Sequence, residues 1–232
     1  MDLIKERDKI LASFGESFHF TVCPPVEGYR REYYRLFSNR KSVIGIYRAR
    51  EFGNVFSLVT LDGERSISLV MVFAPVEKNG APVMIITLIN GHNKTKAYVE
   101  YFASENDWFP DEEFLRIQER YGYIRNIRGS SSWEIPERMS CSLFKQTAEQ
   151  LDMDMMLVKI SYVYGREVRK WWNSESDFVR TLNLKMKTTR NLVYDMIART
   201  IGSRKADDFI DRHVLPVIWE ADTNEQDKGK KL

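Results

Sequence analysis

Cysteine is nearly absent from this chain: Cys23 and Cys141 are the only two in 232 residues. So sparse and widely separated a pair excludes a disulfide framework and predicts free thiols in a reducing compartment. Long apolar runs are missing too. No stretch of about 18 apolar residues could cross a bilayer, and Met1-Asp2-Leu3-Ile4-Lys5-Glu6 alternates charge too quickly for a secretion signal. A cytoplasmic protein that does not engage a membrane is expected, so the sequon Asn93-Lys94-Thr95 has no route to a glycan. Net charge is also small, with Lys+Arg 35 against Asp+Glu 33. A preference for polyanions must therefore rest on how charge is distributed.

The signatures of common chemistries are equally scarce. His19, His92 and His213 are isolated, and His19 with Cys23 is the only close pairing of metal-ligand types, too few for a zinc site. Gly129-Ser130-Ser131-Ser132 lacks the glycine that follows a nucleophilic serine at a strand-to-helix elbow. No glycine-rich loop ends in Gly-Lys-Ser/Thr, and Gln118-Glu119-Arg120-Tyr121-Gly122 lacks the second glycine of an acyl-cofactor loop. Asp62, Glu64, Glu77 and Lys78 could seed a metal-dependent nuclease, but they occupy turn positions where charge serves solubility. No metal, no cofactor and no catalytic residue are expected.

What the chain does have is core-forming material, 43% hydrophobic with 12% aromatic residues. Leu3, Ile4, Arg7, Ile10, Leu11 and Phe14 recur at helical spacing before Gly15. Phe18, Phe20 and Val22 alternate as a half-buried strand ended by Pro24-Pro25. Four β segments follow at Val43 to Tyr47, Val55 to Leu61, Ser66 to Phe73 and Val83 to Leu88. Breaks such as Asp62-Gly63 suit tight hairpins, and an antiparallel meander results, with Ala97 to Phe102 a candidate fifth strand. Pro110 opens a helix with Asp111, Glu112 and Glu113 in its first turn. Pro136 is read as opening another, with Met139, Leu143, Phe144 and Leu151 on it, and Met155 to Tyr164 as a buried strand. The last third reads as helical. The expected fold class is α+β: an N-terminal helix and antiparallel β-meander in a sheet domain over 1–128, then a mainly helical domain with one buried strand over 129–222. A polar tail at 223–232 is expected to be disordered.

Charge and aromatic residues coincide twice. Between Tyr29 and Arg50, the cations Arg30, Arg31, Arg35, Arg40, Lys41, Arg48 and Arg50 face only Glu32, among Tyr29, Tyr33, Tyr34, Phe37 and Tyr47. Between Lys159 and Lys205 a second basic stretch runs into Gly202-Ser203, a turn like that of a helix-turn-helix. Such surfaces suit a polyanion with stackable bases, because cations release counterions and rings stack. The candidate nucleic-acid contacts are Arg30, Arg31, Arg35, Arg40 and Lys41, together with Lys185, Lys187, Arg190 and Arg199. Asp207, Asp208 and Asp211 oppose groove entry by the last helix, so a plain helical hairpin is preferred there. Non-enzymatic nucleic-acid binding is the leading expectation. Its rival is a protein-interaction or assembly module, a homo-oligomer included, with Trp171-Trp172 as a possible anchor between halves or partners. A small enzyme with an unrecognised site comes third.

Overall fold

Five long strands follow one another in the computed structural model of the protein, which describes residues 1–15, 17–23, 40–75, 79–102, 111–121, 139–147, 149–171, 190, 194, 197–198 and 202–211. They are β2 (Arg40–Ala49), β3 (Gly53–Asp62), β4 (Arg65–Pro75), β5 (Val83–Asn90) and β6 (Thr95–Phe102). A short β1 (Thr21–Val22) precedes them and β7 (Met139–Thr147) closes the series, so seven strands form one antiparallel meander in sequence order. Gly63 takes a φ of 61° at the Asp62-Gly63 corner, the left-handed backbone a tight hairpin needs.

Because strand side chains alternate, each strand supplies both faces of the sheet. One face carries Val55, Val59, Leu69, Met71, Phe73, Met84, Ile86, Val99 and Tyr101 into the larger core. Among the described residues three helices cover it: α1 (Leu3–Ala12), α2 (Glu112–Tyr121) and α3 (Gln150–Lys170). Asp2 caps α1 by accepting from the Ile4 and Lys5 amides, and Asp111 caps α2 by accepting from the Glu113 amide at 2.8 Å. At the centre of this core the Phe52 ring meets Phe18 at 5.1 Å, Phe14 at 5.8 Å and Tyr164 at 5.9 Å, mostly edge to face.

Polar ties fix the helices to the sheet and to each other. Lys9 Nζ bridges Glu6 Oε1 and Asp154 Oδ2, each at 2.8 Å, joining α1 to α3. Tyr164 Oη donates to the Pro82 carbonyl at 2.6 Å. Asn79, fully buried, donates to the Val168 carbonyl at 2.7 Å and accepts from the Ala81 amide at 2.8 Å, while the Gly80 amide donates to the Trp171 carbonyl.

The opposite face presents Phe56, Leu58, Val70, Val72, Ala74, Val83, Ile85 and Phe102. These pack with Ile197 and with Ala206, Phe209 and Ile210 at α4 (Ser203–Phe209). The α+β class, the N-terminal helix, the antiparallel meander and the later helices are all present. Among the described residues no helix is long and apolar enough to cross a membrane.

Three local expectations are corrected. Met139 to Thr147 is the strand β7 and not a helix, because pairing with β6 supplies hydrogen bonds to a segment whose sequence serves either period. Met155 to Tyr164 is the middle of α3 and not a strand. The strand expected over Phe18 to Val22 shrinks to Thr21–Val22, since the Phe18 and Phe20 rings turn into the aromatic cluster. β7 lies beyond residue 128 yet belongs to the same sheet as β1 to β6, and α3 shares the core of α1.

Candidate functional site

Strand register arranges the helix-covered face around α4 in rows. One row runs Ile46, Phe56, Val72, Ile85, Glu100 and on to Ser142 in β7; the next runs Ile44, Leu58, Val70, Thr87, Tyr98 and Phe144. Apolar side chains thus dominate until β6, where an acid appears. Glu100 lies between Val99 and Tyr101, both of which face the larger core, so it points to the α4 side, directly across from Ile85 and two residues from Phe102. Half-buried Thr87 and Tyr98 place hydroxyls in the adjacent row.

Nothing among the described residues pairs with the Glu100 carboxyl, and burial pushes its pKa above the ordinary carboxylate value. Desolvation penalises the ionised form, so the protonated acid is favoured relative to a carboxyl in water. Such a group can donate a hydrogen bond or a proton as well as accept one. An acid, two hydroxyls and an apolar floor are the usual ingredients of a small-molecule site. Ser42, also buried on this face, has an Oγ without a hydrogen-bond partner among the described residues. Four strand spacings separate β2 from β6, about 19 Å, so Ser42 and Glu100 do not form one site.

The sequence-derived candidates distribute differently. Arg30, Arg31, Arg35, Lys185, Lys187 and Arg199 lie outside the described residues, as does Trp172. Arg40 and Lys41 open β2, in register with Asp62 and Leu61. Arg190 is engaged internally: its guanidinium meets Asp207 at 2.7 Å and Asp211 at 3.1 Å, and the hydrogen bonds it donates to Asp211 and then Asp207 hold its pKa above the ordinary value. Asp207 and Asp211, two of the three acids in this segment, thus pair with Arg190. Gly202, with φ of 86°, is the N-cap of α4, and Ser203 is its first helical residue. In the same basic stretch Arg166 pairs with Asp111 and Glu113, Arg169 donates to the Ser17 carbonyl, and Lys170 lies 3.9 Å from Glu167. Trp171 packs partly buried against the larger core and donates to Glu167 at 3.2 Å.

Glu100 is the residue that sequence reasoning missed. The available signal was the alternation of Lys96, Tyr98, Glu100 and Phe102, which puts an acid two residues from a buried phenylalanine on one strand face.

No family model matches the chain, and no curated protein matches it. Among solved structures, the chain is similar to phytochromobilin synthase from tomato in complex with biliverdin, with a TM-score of 0.62. The match covers 94% of this chain and 84% of that one at 11% sequence identity. Identity that low carries the fold alone.

Proposed function

We propose that the α4-covered sheet face around Glu100 binds a small, extended, conjugated molecule of the open-chain tetrapyrrole class, with Glu100 presenting a proton to it. The observation that carries this reading is the Glu100 carboxyl, desolvated and without a described partner on an otherwise apolar face. The fold adds support, because a protein of similar fold holds biliverdin. A ligand of this kind suits the surface. The ligand would lie beside Glu100, where its pyrrole nitrogens and lactam oxygens exchange hydrogen bonds with Glu100, Thr87 and Tyr98. On transfer, the Glu100 O–H bond breaks as an N–H bond forms on a basic ring nitrogen. The carboxylate left behind is matched by the protonated ring.

Titration with biliverdin, followed by visible absorbance and tryptophan fluorescence, tests this. Saturable binding is expected, and Glu100→Gln should shift the pH at which the bound chromophore protonates. No spectral change at about 100 μM ligand, enough to saturate a site with Kd of about 10 μM, would remove the proposal.

Nucleic-acid binding in the cytoplasm stays as a second reading, supported by Arg40 and Lys41. β1 pairs only with Arg48 and Tyr47 of β2, so the Arg40 end has no described strand on that side. Cations there, together with Arg30, Arg31 and Arg35, would hold phosphates. Anisotropy with labelled oligonucleotides at low salt decides it: binding should weaken as salt rises and flatten in slope when Arg30, Arg31 and Arg35 become Ala. Absence of binding at micromolar protein removes this reading.

A further inference from the structure

The outward side of α3 carries an apolar stripe that the fold does not cover. Leu151 is 72% exposed, Met155 42%, Val158 46% and Tyr162 50%. Their steps of four, three and four residues are the repeat of a helix seam, in which every such side chain faces one partner. The inward side of the same helix is separately satisfied, with Met153, Met156, Leu157, Ile160, Val163 and Tyr164 buried on the sheet. The stripe is therefore surplus to folding. It spans about 16 Å at 1.5 Å per residue. It ends where the repeat reaches Gly165, which turns inward onto Phe14 and Phe18.

Charge along α3 identifies the occupant. Glu149 and Asp152 lie at the amino end and Lys159 follows on the same flank as Asp152, while Asp154, Arg166, Arg169 and Lys170 are engaged within the chain. A parallel neighbour would set like charges side by side, whereas an antiparallel copy of the same helix sets acid against base. In the antiparallel register that buries the stripe, Leu151 meets Tyr162 of the second copy and Met155 meets Val158. Asp152 on the flank then faces Lys159, and two-fold symmetry repeats each pair. Helix dipoles also oppose in this arrangement.

We infer that α3 is a self-association surface, on which two copies of this chain pair antiparallel through Leu151, Met155, Val158 and Tyr162. The surface lies on the sheet side opposite Glu100, so pairing does not involve that face.

Sedimentation velocity from about 1 to 500 μM protein reads the association, which a stripe this short places in the weak range of small interfaces. A monomer–dimer equilibrium is expected within that range. Met155→Glu with Val158→Glu should abolish it, with the far-UV circular dichroism and thermal melt of the monomer retained. Asp152→Lys alone and Lys159→Asp alone should each weaken the dimer about tenfold, since both symmetric pairs become repulsive. The double exchange Asp152→Lys with Lys159→Asp should restore it. A chain that stays monomeric throughout, a dimer that survives the paired glutamates, or single exchanges that the double exchange does not rescue would each overturn the inference.

Discussion

Replacing Asn79 by Ala should unfasten the carboxyl end of α3. A helix leaves its last carbonyls without intrahelical donors, and α3 ends at Lys170. The Trp171 amide satisfies Glu167, but the Val168 carbonyl is met by the Asn79 side chain at 2.7 Å, from a loop 89 residues earlier. The same side chain accepts from the Ala81 amide at 2.8 Å. Alanine removes both bonds and strands two buried backbone groups, at about 1–3 kcal/mol each, so the total is about 2–6 kcal/mol. For a chain of this length that lowers Tm by roughly 4–24 °C. Urea denaturation followed by circular dichroism measures the free energy, and amide exchange at Ala81 reports the local opening. Asn79→Asp keeps an acceptor for Ala81 but sets carboxylate oxygen against the Val168 carbonyl, and should cost at least as much. A loss below about 1 kcal/mol, within the net range of one ordinary hydrogen bond, would refute this role and reduce Asn79 to a turn residue.

Phe52→Ala empties the centre of the aromatic cluster and should cost about 3–5 kcal/mol in urea denaturation. Glu100→Gln should stabilise the fold at alkaline pH and be nearly neutral in acid. Folding raises the Glu100 pKa, so the favourable protonated state is fully present below the unfolded carboxylate pKa and lost as pH rises through the folded one. Stability curves at about pH 4 and pH 8, either side of the carboxylate range, check the sign. Arg190→Ala frees Asp207 and Asp211. With the guanidinium partly in solvent the global cost should stay below about 1 kcal/mol, while amides of α4 exchange faster.

The meander was legible because its strands obey a two-residue period and its corners carry turn residues. Val55 to Leu61, Ser66 to Phe73 and Val83 to Leu88 each lie within an observed strand. Met155 to Tyr164 was not legible for a reason the structure makes plain. The outward positions 155, 158 and 162 are as apolar as the inward 156, 157 and 160, so the helical period is blurred into a continuous run resembling a buried strand. Met139 to Thr147 failed for the opposite reason. Among the described residues it pairs only with β6, and that long-range pairing leaves no local mark. Among the site residues, cations drew notice by their clustering, yet Arg166 and Arg190 spend their charge on acids distant in sequence. Glu100 acquires its character from rows on neighbouring strands, which a single strand does not display.

The bridge from Lys9 to Asp154 spans 145 residues, and it sets an order of events during synthesis. Successive hairpins of the meander can zip as each strand leaves the ribosome, but α1 emerges before them and its α3 partner only after β7. At about 5–20 residues per second the interval is roughly 7–30 s, far longer than helix or hairpin formation. Throughout it the α3-facing surface of the aromatic core, Phe14 and Phe52 included, lacks the Tyr164 ring that completes it. Nascent chains stalled before residue 150 should therefore recruit holding chaperones, and those carrying all of α3 should release them.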